Sequence, residues 1–68
     1  MYLQNNTSKT KQAILNSALT LFVEKGYFNT SINDLVKHSG VSTGSIYHGF
    51  SDKEAIADTL MQSLLTQI

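Results

Sequence analysis

Three groupings in this chain have the residue types, but not the number or spacing, for catalysis or metal binding. Asp34 and His38 lie four apart, a spacing that puts both on one helix face and could clip a metal ion. Two ligands are too few for a stable site, and the pair reads instead as a surface ion pair. Ser42, His48 and Asp52 include the types of a nucleophile triad, but Ser42 and His48 fall six apart on one helix and point to different faces. Gly40 and Gly44 are too few for a phosphate loop, and no Lys follows them. With no cysteine, thiolate chemistry and cysteine zinc sites are removed. The chain is therefore read as no enzyme, with no cofactor and no metal.

A fourth grouping supports a different chemistry, close approach to a polyanion. Ser42, Thr43, Gly44 and Ser45 are four consecutive small residues at the start of a helical segment that follows Gly40. Two short helices joined by a three- or four-residue turn containing Gly have the spacing of a helix-turn-helix. The second helix of such a unit enters the major groove by its N-terminal end, where small residues let the backbone come near. Hydroxyls and helix N-termini bind phosphate without net positive charge. The ordinary alternative is a packed helical corner.

Four helical segments must position these residues, so the expected class is all-α. From Ala13 to Lys25, Ile14, Leu15, Ala18, Leu19, Leu21 and Phe22 fall on one arc, with Asn16, Ser17, Thr20 and Glu24 opposite, in a helix starting near Lys9. Gly26 after Lys25 fits a left-handed stop. Thr30 and Ser31 offer hydroxyl caps, with Asp34 at capping-box spacing from Ser31, for a second helix ending near His38 with Ile32, Leu35 and Val36 inward. Gly40 breaks it, Val41 is a lone apolar plug, and Ser42 can cap a third helix from Thr43 to His48 that buries Ile46 and Phe50. Ser51 and Glu54 make a second capping box before a longer helix with Ile56, Ala57, Leu60, Met61, Leu64, Leu65 and Ile68 over about half its circumference. The expected organisation is a flexible arm at 1–8, a helix-turn-helix domain at 9–51 and a linking fourth helix at 52–68.

Composition bounds the function. Sixty-eight residues make one small domain without disulfides, so stability must come from packing. No apolar run approaches the roughly 20 residues of a membrane span, and the N-terminus lacks the basic-then-apolar order of a secretory signal. The expectation is a soluble cytoplasmic chain with no membrane partner. Five Lys and no Arg against five Asp plus Glu give a formal net charge of zero. Nucleic-acid domains usually carry a basic excess, so DNA binding must rest on where charge is placed. Lys9, Lys11 and Lys53 sit in first helical turns, where the dipole disfavours a cation, and a phosphate would remove that conflict. Lys37 reads as a solvated helix end, and Tyr27 and Phe28 as packing residues under the first turn.

Ala18, Leu21, Phe22, Gly26-Tyr27, Thr30-Ser31, Asp34-Leu35, Ser39-Gly40-Val41-Ser42, Gly44-Ser45-Ile46-Tyr47, Phe50 and Ser51-Asp52-Lys53-Glu54 carry a more specific signal. In order and gaps, the stretch from Ala13 to Glu54 resembles the DNA-binding domain of the tetracycline-repressor (TetR/AcrR) family of transcriptional regulators. The resemblance implies a homodimer that binds double-stranded operator DNA, with a small-molecule ligand held by a larger helical domain absent from this chain. It also implies that Thr30, Tyr47 and Lys53 contact phosphates, with Ser31 and His48 in the same surface. Ser42, Thr43, Gly44 and Ser45 would then approach bases or flanking phosphates. Two departures stand out: Gly49 occupies a place where the family usually has His, and Val36 replaces a small Ala.

A second class of function rests on the fourth helix. Leu64, Leu65 and Ile68 extend about two turns past what three short helices can cover, which suits a non-catalytic protein-interaction module or a rod leading to a further domain. Base discrimination by one copy should be weak, because no Arg, Asn or Gln lies in the third helix. Hydroxyls, the Thr43 methyl and DNA shape would do the reading.

Overall fold

The first helix, α1 (Lys9–Lys25), ends where Gly26 takes φ 92° and donates its N–H to the Phe22 carbonyl at 3.0 Å. Positive φ costs glycine nothing, so the chain can reverse there. The computed structural model describes residues 9–66, and the arm at 1–8, Ile68 and the side chain of Leu64 lie outside the described residues. A second helix, α2 (Ile32–Ser39), opens with the reciprocal capping box: Asp34 N–H donates to Ser31 Oγ at 3.0 Å and Ser31 N–H to Asp34 Oδ2 at 2.9 Å. It closes at Gly40, whose φ is 79° and whose N–H bonds the Val36 carbonyl. Next come α3 (Thr43–Gly49), capped by Ser42, and α4 (Lys53–Thr66). Among the described residues there is no strand, and the domain is all-α.

Ile14, Ala18 and Leu21 of α1, Leu35 of α2, Ile46 of α3, Phe50 after it and Ile56 of α4 form the core. Ile46 and Phe50, one turn apart, are the buried anchors of the seven-residue α3. Each contributes about 1.5–3 kcal/mol of burial, more than so short a helix gains from its own hydrogen bonds.

The fold corrects four expectations. Ser17 lies inward, 5% exposed, because α2 lies against that side of α1 and offers the His38 ring, whose Nδ1 is 2.8 Å from Ser17 Oγ. Leu19 consequently sits toward the rim and is exposed. Phe28 does not pack under the α1–α2 turn: it is 91% exposed at the tip and meets only the edge of the Tyr27 ring at 5.2 Å, while Tyr27 itself packs edge-on against Phe22. At the start of α4 the cap is Asp52, not Ser51; its Oδ1 accepts the Ala55 N–H at 2.9 Å, and a carboxylate suits the positive helix end better than a hydroxyl.

Candidate nucleic-acid interface

Gly40 and Ser42 set the angle at which α3 leaves α2. Ser39 Oγ donates to the Leu35 carbonyl at 2.6 Å and accepts the Val41 N–H at 3.0 Å, so the turn is bonded on both sides. Val41 packs against the core from within it, as expected of a plug. Ser42 Oγ accepts the Ser45 N–H at 3.2 Å and donates to Ser45 Oγ at 3.1 Å, which fixes both hydroxyls at the head of α3. With Ile46 and Phe50 inward, the opposite side of α3 faces solvent: Ser42, Thr43, Gly44, Ser45, Tyr47 and His48 are all exposed. A Cβ added at Gly44 would meet nothing within 4 Å, so the surface there is open as well as small. Tyr47 is 49% exposed, so its ring is half sheltered and its phenol end can reach outward.

Thr30 and Lys53 are placed differently from the phosphate contacts that the resemblance implies. Thr30 is 1% exposed, and its hydroxyl donates to the Gly26 carbonyl at 2.8 Å. Its N–H bonds the Tyr27 carbonyl at 3.2 Å, so Thr30 ties the α1–α2 turn together and leaves the helix cap to Ser31. In this structure the Thr30 side chain thus positions the turn from inside, where the resemblance implies a phosphate contact. Lys53 Nζ donates to the carbonyls of Tyr27 at 2.6 Å and Thr30 at 2.9 Å and lies 4.2 Å from the centroid of the Tyr27 ring. Its conflict with the α4 dipole is relieved by carbonyl oxygens and an aromatic face of the protein itself, so that conflict is no evidence for phosphate. An ammonium has three protons, and these two bonds account for two of them.

Asp34 and His38 do not pair with each other. Asp34 accepts from the Ser31 backbone and from Lys25 Nζ at 3.1 Å, and these partners, the backbone bond foremost, hold its carboxyl at about 2 against the usual 3.8. His38 turns to Ser17 instead. Among the described residues no group of three or more His, Asp or Glu side chains could hold a metal ion, and no helix is long and apolar enough to cross a membrane. Burial raises the Tyr27 phenol above its ordinary value, and the carboxylates of Glu54, Asp52 and Asp58 at the start of α4 add to the shift.

One placement had no sequence signal strong enough to find it. Lys11, at the start of α1, runs along the bare backbone of Gly49 at the end of α3. The two residues lie too far apart in the chain for any local spacing rule to connect them.

Comparison with known proteins adds the family context. The family described as "Bacterial regulatory proteins, tetR family" matches residues 14–60, which include all of α2 and α3 and most of α1. The chain is similar to the HTH-type transcriptional repressor KstR2 of Rhodococcus jostii strain RHA1, 33% identical over 61 residues, covering 90% of this chain and 30% of that protein. It is 37% identical over 65 residues to the Transposon Tn10 TetC protein of Escherichia coli, covering 96% of this chain and 33% of that protein. It is also 32% identical over 59 residues to the HTH-type transcriptional regulator UidR of Escherichia coli strain K12, covering 87% and 30%. The chain thus spans about a third of the length of these relatives.

Proposed function

This chain belongs to the tetR family of bacterial regulatory proteins, and on that premise we propose that it is the operator-binding end of a ligand-responsive transcriptional repressor. The relatives it matches include transcriptional regulators, and this family of regulators is not one of enzymes. The protein acts as a homodimer on a pseudo-palindromic operator in the cytoplasm, each copy setting one α3 into the major groove. Ser42, Thr43, Gly44 and Ser45 lie against base edges and flanking phosphates. Tyr47 and His48 extend the contact along α3, and Ser31 and the remaining proton of Lys53 meet phosphate beside it. A small-molecule ligand acts through a further domain reached by α4, on which Met61 and Leu65 are 61% and 66% exposed.

The observation that carries this reading is the empty space over Gly44 on the exposed side of α3. Small residues with nothing against them in the free protein suit a surface that something large must approach. Gly44→Leu tests it with opposite signs in two measurements. Helix propensity raises the stability of the free chain by up to about 1 kcal/mol, read in a urea melt. Affinity for duplex DNA falls by roughly tenfold or more, since about 1.4 kcal/mol of lost contact suffices. Unchanged DNA affinity in the Gly44→Leu variant would overturn the reading and favour the exposed stripe of α4 as the functional surface.

A further inference from the structure

We propose that Lys11 of α1 is a DNA-backbone contact on one flank of α3, admitted there by the missing side chain at Gly49. The inference rests on the DNA-binding reading above and adds a contact from outside the helix-turn-helix.

Gly49 is the last residue of α3, and a Cβ built on it would stand 3.4 Å from Lys11 Cε and 3.7 Å from Lys11 Cγ. The lysine stem therefore lies lengthwise on bare helix backbone, which brings the ammonium to 5.5 Å from the centroid of the Phe50 ring. Lys11 is nonetheless an exposed residue, so its head stays on the surface.

Helix geometry says which surface. At about 100° per residue, Ser45 and Gly49 share one flank of α3, Tyr47 takes the other, and Gly44 and His48 lie between them, opposite the buried Ile46. A helix seated in the major groove has a sugar-phosphate wall on each side. Tyr47 lies on the flank toward one wall, and the Gly49 flank, on which Lys11 packs, lies toward the other. Lys25 and Lys53 stand elsewhere, Lys25 beside Asp34 of α2 at 3.1 Å and Lys53 at the start of α4 against the α1–α2 turn. In a chain of zero formal charge, a cation beside the recognition surface supplies the counterion release that composition alone does not.

A purely structural Lys11 would use its stem against Gly49 and its charge against the negative end of α3, and would not alter DNA binding. The test separates the two with the 68-residue chain and a mixed-sequence duplex titrated over a salt series. Lys11→Met keeps the stem and removes the charge, and lowers the log–log salt slope by about 0.9, with binding weakened roughly tenfold at about 50 mM salt. Gly49→Leu keeps the ammonium but fills the flank, and lowers the slope similarly; combined with Lys11→Met it lowers the slope no further. Melting curves run in parallel, and Lys11→Gln replaces Lys11→Met if the latter loses stability. Suppose the Lys11 variants keep the parental slope while the amide resonances of Thr43–Ser45 still shift with DNA. Lys11 is then structural only, and the DNA-binding reading stands. If those amides stay unmoved in the parent chain, the DNA-binding reading fails and this inference with it.

Discussion

The Lys53 ammonium lies 2.6 Å from one carbonyl and 2.9 Å from another, in a first helical turn where the dipole alone would repel it. Those carbonyls belong to Tyr27 and Thr30, so the side chain fastens the start of α4 to the α1–α2 turn. Lys53→Met should destabilise the chain by about 1–3 kcal/mol, the range for losing hydrogen bonds to a charged donor, read as a lower urea midpoint at constant slope. Lys53→Glu would confound DNA affinity with loss of this tie, which makes Gly44 the cleaner position to test. Asp34 gives a pH signature. Its carboxyl is held at about 2 against the usual 3.8, so its contribution to stability is complete above about 3.8 and disappears as pH falls toward about 2. The parent chain should therefore lose stability across that acid window, while Asp34→Asn, weaker at neutral pH, shows a flatter limb there. Parallel acid limbs in the two proteins would show that the capping box and Lys25 do not set this behaviour.

Among the elements, α3 is the shortest, with seven residues, one capping serine and two buried anchors. Its direction depends on the turn before it, where Gly40 holds φ 79° with open space around the position of a Cβ. Gly40→Ala introduces no clash, so its cost is the left-handed backbone alone, about 1–2 kcal/mol. The measurement is chemical denaturation, and a neutral result would mean that the turn can be rebuilt without positive φ. At the other end of the chain, α4 buries Ile56 and packs Leu60 against the core, yet leaves Met61 and Leu65 uncovered. Beside them a groove of about 430 Å³ runs between α1 and α4, lined by Leu19, Phe22, Tyr27, Ala57, Leu60 and Met61. Helical periodicity located this apolar stripe, but only the packing of α1 on α4 fixed where cover ends.

At the scale of the molecule, size and charge bound how the domain can act. The described residues extend 34 × 25 × 18 Å and carry a single α3, which suits one half-site of the operator proposed above. Zero formal charge, with Lys25 in an ion pair and Lys53 turned to carbonyls, leaves few phosphates to be neutralised per copy. The chain alone should bind duplex DNA weakly, with a log–log salt slope no steeper than about six, at roughly 0.9 per phosphate contact. A steeper slope in filter-binding or fluorescence titrations would require cations beyond those this chain carries.

Local chemistry made much of this protein legible before any coordinates. The four helices, the Ser31–Asp34 capping box, the Gly26 and Gly40 stops and the burial of Leu35, Ile46 and Phe50 follow from spacing and backbone preference over a few residues. So does the exposed run from Ser42 to Ser45, because two inward residues one turn apart orient a short helix completely. What the sequence could not settle involves partners far apart in the chain: Ser17 with His38, Lys53 with the carbonyls of Tyr27 and Thr30, and Lys11 across Gly49. A polar side chain binds whichever acceptor or surface the fold brings near, and that choice is made only when helices pack. The sequence therefore determined which residues could reach toward DNA. The tertiary structure decided that Thr30 is instead enclosed, that Lys53 is bonded to its own backbone, and that Lys11 stands beside α3.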